Sequence, residues 1–531
     1  MNLLERNFDF IVCGAGTAGC VVAARLADQP DARVLLIEAG DDCTGPEVEE
    51  PAQWPLNLGS TRDWAFEGQP DPRLEGRRLS LSMGKGLGGG SSINVMVWAR
   101  GHRTDWEHFA AESGDPDWGY ASALRYYQRI ENHQRTADWQ GRFDPLRRGS
   151  GGPVHVAQPA APQPLAWATL EAASRLGIPR FDSANGEMME GPGGVAITDL
   201  RIHQGKRESV YDAYIRPRLH CPNLTILTQA MVTRLLIVGT RTVGVEVLIE
   251  GHLHRFYAAA EVVLSMGAVN TPKVLMQSGI GPQDELRAHG IEPVSHLPGV
   301  GHNHQDHIAF GCTWEYRQPQ AIGGGGCEAT LYWKSDARLD APDLLHCQLE
   351  FPVPSPPEVN IQAPEHGWTM FAGLARPVSR GRLRLSGSGP LDSLLIEPNS
   401  LSAPQDMAAA FASIELCREL GNSEAFNTLV KREVVPGQRD RRAMEQFIRQ
   451  SAVTYWHQCG TAKMGRDALS VVDHQLKVYG IDQLRIADAS ILPRITVGNT
   501  MAPCVVIGER AADLILAAHG VMASSDKTIN G

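Results

Sequence analysis

A glycine-rich turn near the N-terminus limits what this chain can become. Gly14-Ala15-Gly16-Thr17-Ala18-Gly19 stands between an apolar run, Phe8 to Val12, and a helical stretch from Cys20 to Leu26. A run of branched residues, Arg33-Val34-Leu35-Leu36-Ile37, follows and ends at Glu38. Strand, G-x-G-x-x-G, helix, strand and acid, in that order, predict a dinucleotide-binding βαβ unit. Gly14 permits the tight turn, Gly16 lets a pyrophosphate meet backbone N–H groups, and Gly19 lets the helix pack on the strand. Thr17 and Ala18 in the turn are further candidate cofactor contacts, and the N-terminus of the helix that follows faces the phosphate charge. Glu38, with Ala39 beside it, is placed for the ribose hydroxyls of an adenosine. The pattern leaves NAD and FAD both open.

Composition narrows the partners. The chain has 531 residues, 43% hydrophobic and 21% charged, which is globular and long enough for two to four domain-sized units. Its 49 basic and 60 acidic residues leave a net charge of −11, without the basic footprint of a nucleic-acid binder. No apolar run reaches the roughly 18 residues that span a bilayer, and Met1 to Asn7 lacks a secretory pattern. The ten cysteines form no CxxC pair and read as reduced, buried thiols. The expectation is a cytoplasmic protein acting on a small molecule, with no nucleic-acid or membrane partner. The oligomeric state is not legible.

A second glycine run, Gly84 to Asn94, is small enough to wrap a flat phosphorylated ligand. It continues into the core-like Val95-Met96-Val97-Trp98. Gly86, Gly89, Ser91, Asn94, Val95, Met96 and Val97 are candidate cofactor contacts. Leu224–Thr228, Val232–Ile237 and Val243–Val247 alternate as paired strands, and Val232 is a further candidate contact. Val262–Ser265 predicts a strand. A helix follows it, with Pro272 in its first turn and Gly279 at its stop. Residues 311–454 are richer in proline and carry Trp314, Tyr332, Trp333, Phe351, Trp368 and Phe371, which suit a pocket wall or a core. Near the C-terminus, His457 stands beside Trp456. Leu484 to Ser490 reads as a strand with a polar end. Asn499-Thr500-Met501-Ala502-Pro503 precedes an apolar helix from Cys504 to about Ala517.

Together these motifs resemble the glucose-methanol-choline (GMC) oxidoreductases, FAD-dependent enzymes that oxidise alcohols. Gly84 to Asn94 resembles the family's first signature, and Gly267-Ala268-Val269-Asn270-Thr271-Pro272 through Gly281 its second. Arg207, Ser209, Ala213, Tyr214 and Pro217 match the segment between. Gly299-Val300-Gly301 with Gln305-Asp306-His307 is similar to the loop that usually reads GVGxNLQDH. His457 sits where the family keeps its active-site histidine, and Asn499 where it keeps a second histidine or asparagine. Asp488 with Ala489, and Asn499 with Thr500 and Met501, match its C-terminal FAD segments. The run from Tyr455 to Gly465 is most similar to bacterial 5-hydroxymethylfurfural oxidases and their aryl-alcohol oxidase relatives.

The resemblance implies an α/β chain (α+β overall): a Rossmann-type FAD domain with a discontinuous substrate domain on an antiparallel sheet. The FAD domain would comprise 1–155, 196–310 and 455–531, and the substrate domain 156–195 and 311–454. Ile93 replaces the histidine that some members bond to flavin, so FAD is expected to be non-covalent. His302, His304 and His307 form H-x-H-x-x-H, read as loop histidines near the flavin, with no metal expected.

Alcohol oxidation needs a hydride acceptor, a base and a group to hold the oxygen. FAD would supply the first and His457 the second. The Asn499 amide would supply the third. The expected activity is oxidation of primary alcohols on aromatic or furan rings, with Trp456 stacking on the ring. Oxygen would be reduced to hydrogen peroxide, and the hydrated aldehyde is open to a second oxidation. The alternative is a choline-like dehydrogenase passing electrons to a quinone, for which Glu350 and Glu365 are candidate carboxylates. A redox-silent lyase or light-driven decarboxylase is disfavoured by His457 and Asn499 together.

Overall fold

The structure, a computed structural model, describes residues 7–134, 144 and 146–520. Residues 1–6, read above for a leader pattern, lie outside that range.

Two seven-stranded sheets organise the chain. In the first, Leu224–Leu227, Val34–Ile37, Asn7–Cys13 and the C-terminal half of His252–Leu264 run parallel, and Leu484–Ile486 adds on the far side. These strands are nearly all-apolar, as parallel strands covered on both faces must be. Ile11, Val12, Cys13, Leu35 and Leu36 are fully buried. The N-terminal half of His252–Leu264 pairs antiparallel with Arg241–Ile249, which forms a hairpin with Ala230–Val238.

Two expectations change here. Leu224–Leu227 pairs in parallel with Val34–Ile37 and not with its neighbour in sequence, because alternation reports burial and not partner. The strand expected at Val262–Ser265 begins ten residues earlier, at His252, where exposed polar positions mask it.

The second sheet is antiparallel, in the order Val430–Val435, Ile308–Tyr316, Gly367–Leu374, Leu344–Leu349, Ala329–Trp333 and Gly194–Ile197. Val453–Thr454 pairs with the start of Ile308–Tyr316. The boundaries drawn at 195/196 and 310/311 therefore fall inside strands of this sheet. Alternate residues of Leu344–Leu349 face opposite sides. His346 and Gln348 turn towards the helices Pro404–Gly421 and Pro164–Arg175, meeting the Ser413 carbonyl and Thr169 Oγ1. The other face turns inward. Trp314 stacks on Trp368, and Trp368 on Phe426, so the two tryptophans are core and not pocket wall.

Pro272 sits inside the helix Gly267–Gln277, not in its first turn. A proline there has no N–H for the carbonyl four residues back. That carbonyl, of Ala268, instead accepts from the Thr461 hydroxyl at 2.6 Å. The last helix, Met501–Ala518, keeps Pro503 in its first turn. Among the described residues no helix is long and apolar enough to cross a membrane.

Candidate active site

A cavity runs from the glycine turn to the inner face of the antiparallel sheet. Gly14, Gly16, Thr17, Ala18, Glu38, Ala39, Gly89, Asn94, Val95, Val97 and Val232 line it. So do Asp488, Ala489, Asn499, Thr500, Met501, Trp456 and His457.

The dinucleotide end is built largely from main chain. A Cβ on Gly16 would meet only the Ser265 carbonyl oxygen, at 3.9 Å, and one on Gly90 nothing at all, so the backbone there is open to a ligand. Glu38 is buried. Its carboxylate accepts from the backbone N–H groups of Ala15 and Gly40, both at 2.9 Å, which fixes it at the cavity wall. Asp488 accepts from the backbone N–H groups of Gly267 and Ser490 and from the Thr271 hydroxyl. Burial pushes both carboxyls above their ordinary range. This glycine cradle with an anchored acid fits the FAD that the motifs imply.

Four expected contacts do not line the cavity. Gly19 packs the first helix on its strand, since a Cβ would collide with the Gly14 carbonyl. Gly86, with φ +139°, lies against Cys43 and Asp41. Ser91 donates to the Gly88 carbonyl and accepts from the Val210 N–H. Met96 is fully buried behind the wall. Sequence reasoning also missed Arg201. It and Arg207 are buried behind the second glycine run, and both donate to Asn94 Oδ1, at 2.9 and 3.1 Å. Burial lowers their pKa values to about 10 and about 9, still cationic at neutral pH, so positive charge backs this loop.

The other end of the cavity, the candidate catalytic end, is built from side chains of distant segments. His307 Nε2 lies 3.0 Å from the Thr496 carbonyl oxygen and 3.1 Å from that of Ala375. Two acceptors require that Nε2 carry the proton. Burial lowers the His307 pKa to about 4, so the ring is neutral and its Nδ1 is a bare acceptor. That Nδ1 lies 2.9 Å from His457 Nδ1, so His457 must donate through Nδ1. His457 Nε2 is then the unprotonated nitrogen, and its lone pair accepts from Asn499 Nδ2 at 3.1 Å. Burial, reinforced by His307, holds the His457 pKa well below 6.5. The chain thus presents a neutral imidazole with its basic nitrogen beside an amide, at the cavity surface. From sequence His307 is a loop histidine of the GVGxNLQDH-like segment, with no partner indicated. His302 and His304 take no part, and among the described residues no three His, Cys, Asp or Glu side chains gather as a metal site would require.

Two further features hold this end. Asp306 Oδ1 accepts from the His457 N–H at 2.8 Å, and burial pushes its carboxyl up to about 8. Trp456 has φ +59°, a left-handed conformation costly for a bulky residue, of order 1–3 kcal/mol. That turn sets the Trp456 ring on the cavity wall next to His457. The rest of the wall comes from the second sheet, notably Thr330, Leu345, Cys347, Leu349 and Phe371. The carboxylates among the described lining residues, Glu38 and Asp488, both belong to the dinucleotide half. Glu350 is buried and accepts from the Gly323 N–H, off the cavity, and Glu365 is exposed on the surface.

The GMC oxidoreductase N-terminal family model matches residues 8–309, and its C-terminal counterpart residues 377–508. Mitochondrial choline dehydrogenase of Mus musculus is 36% identical over 557 residues, covering 98% of this chain and 91% of its own. An oxygen-dependent choline dehydrogenase of Brucella ovis is 36% identical over 540 residues, covering 96% and 95%. The crystal structure of pyridoxine 4-oxidase from Mesorbium loti superposes with a TM-score of 0.88 at 32% identity, covering 97% of this chain and 100% of that one.

Proposed function

Because the chain belongs to the GMC oxidoreductase family, which acts on alcohols with FAD as cofactor, we propose that it oxidises primary alcohols on aromatic or furan rings. Substrates of the 5-hydroxymethylfurfural and benzyl-alcohol type would give aldehydes, with oxygen reduced to hydrogen peroxide. The observation that carries this reading is the chamber wall beside His457, aromatic and apolar, with no carboxylate among its described residues. A planar neutral ring loses little on entering such a chamber and gains stacking on Trp456 or Phe371.

Bound FAD supplies the hydride acceptor. His457 Nε2 takes the hydroxyl proton, and a base so placed contributes about 10²–10⁴-fold. The Asn499 amide holds the oxygen and stabilises the charge that develops on it. His307 keeps His457 in the tautomer that can accept. A hydrated aldehyde presents the same O–H and C–H bonds to these groups. A second oxidation to the acid follows in the same site, more slowly, because hydration is incomplete and the extra hydroxyl must fit near Asn499. FAD is held without a covalent bond, since Ile93, at the cavity wall, has no atom to attach. Free cysteines throughout fit a reducing cytoplasm.

The second reading is a choline-like dehydrogenase using a quinone; the names of the sequence relatives favour its substrate but not its acceptor, since one of them is called oxygen-dependent. Against it, a quaternary ammonium in this chamber would rest on aromatic faces alone, with no carboxylate beside it among the described lining residues. The deciding experiment assays ring alcohols and choline at matched concentration, following both peroxide formation and dye reduction. Peroxide from ring alcohols at higher kcat/KM than from choline is expected. Faster turnover of choline would overturn the substrate, and dye reduction without peroxide would overturn the acceptor.

A further inference from the structure

Cys327 Sγ lies 3.0 Å from Cys347 Sγ. Cys347 stands across from Thr330 on one neighbouring strand and Phe371 on the other, and all three line the substrate end of the cavity. Cys327 is fully buried behind it, at the end of the loop Gly323–Gly326. The Gly325 carbonyl in that loop accepts from the indole N–H of Trp54, another wall residue, at 3.0 Å. Two thiols are thus in contact, one facing the chamber and the other beneath a loop that holds Trp54.

We propose that Cys327 and Cys347 are a redox-active dithiol of the substrate chamber, oxidised by hydroperoxide to a disulfide. The Cys347 thiolate attacks one peroxide oxygen, giving a sulfenic acid and releasing water. The Cys327 sulfur then attacks the sulfenic sulfur, and a second water leaves. Two thiols lose two hydrogens and two electrons, and one H2O2 becomes two waters. The order follows access, since Cys347 alone of the two faces the chamber. The contact with Cys347, with burial added, pushes the Cys327 thiol up, so it serves as the resolving partner. A disulfide brings the sulfurs to about 2.0 Å. It draws Cys347 out of the wall and ties the central strand to the loop behind Trp54.

The chain carries its own control. Cys312 and Cys417 are also joined by a side-chain contact, but both are fully buried in the second sheet and its helix, away from the cavity. Proximity without access should leave them reduced.

The test uses full-length, FAD-loaded protein exposed to added hydrogen peroxide, so that the outcome does not depend on oxygen being the electron acceptor. Alkylation and peptide mapping follow. The expected result is loss of two of the ten thiols, a Cys327–Cys347 linked peptide that dithiothreitol reverses, and Cys312 and Cys417 alkylated as before. Cys327→Ser should abolish the linked peptide and leave Cys347 as an oxyacid. If that variant does not fold, the wild-type map still decides. Free, alkylated Cys327 and Cys347 alongside oxidised Cys221 would overturn the proposal, as would equal oxidation of the Cys312–Cys417 pair.

Discussion

The two ends of the cavity are made of different materials. The dinucleotide end is largely backbone from contiguous sequence, with glycines opening it and Glu38 anchored by main-chain N–H groups. The catalytic end is side chain, drawn from segments 150 and 42 residues apart and joined by hydrogen bonds between His307, His457 and Asn499. The first holds a large ligand by shape and fixed dipoles. The second has to control where one proton sits, and only side chains with definite tautomers can do that. Damage to the first should therefore appear as lost folding or lost FAD, and damage to the second as lost chemistry with FAD retained.

The largest effect is expected where backbone meets backbone. Gly19→Ala places a methyl against the Gly14 carbonyl, forcing the first helix off its strand, and should abolish soluble FAD-bound protein. Gly16→Ala meets nothing closer than 3.9 Å in the protein itself. It should fold yet retain less FAD, measured as flavin per chain and by thermal unfolding. Equal behaviour of the two variants would erase the distinction between packing and ligand glycines.

Next comes the catalytic end. His457→Ala should retain FAD and lose about 10²–10⁴-fold in the anaerobic rate at which benzyl alcohol bleaches the flavin. Loss of flavin from this variant would instead make His457 part of the scaffold. In the wild type, a base must be neutral to act, and burial holds His457 well below 6.5. The acid limb of kcat/KM should lie below that pH.

How much of this was legible follows the same division. The glycine turn, its helix and Glu38 lie within one short stretch, so local pattern was enough. His457 and Asn499 were chosen through family resemblance, because no local pattern distinguishes a catalytic histidine from a core one. The role of His307 was out of reach, since it depends on the carbonyls of Ala375 and Thr496, each brought from a different segment. Gly86, Ser91 and Met96 stand off the cavity lining, since a small-residue run does not say which of its members face inward. The boundaries at 195/196 and 310/311 missed because Gly194–Ile197 and Ile308–Tyr316 continue across them.

A smaller effect concerns stability. Asp306 has an ordinary pKa of 3.8 and about 8 in the fold. A carboxyl raised in this way contributes stability that is fully present below pH 3.8 and is lost as pH rises through about 8. Asp306→Asn cannot ionise and keeps an oxygen for the His457 N–H. Its thermal midpoint should gain on the wild type as pH rises from about 4 to about 8 and level off above, whereas a constant offset would mean that Asp306 does not titrate as buried.

The central claim is that the fold locks His457 with its proton on Nδ1 and a bare Nε2. Nitrogen-15 NMR of histidine-labelled protein at neutral pH, with the resonance assigned by its loss in His457→Asn, reads this directly. The account predicts a neutral ring with protonated Nδ1 and unprotonated Nε2, and loss of that preference in His307→Leu. A proton on Nε2, or a doubly protonated ring at neutral pH, would contradict it.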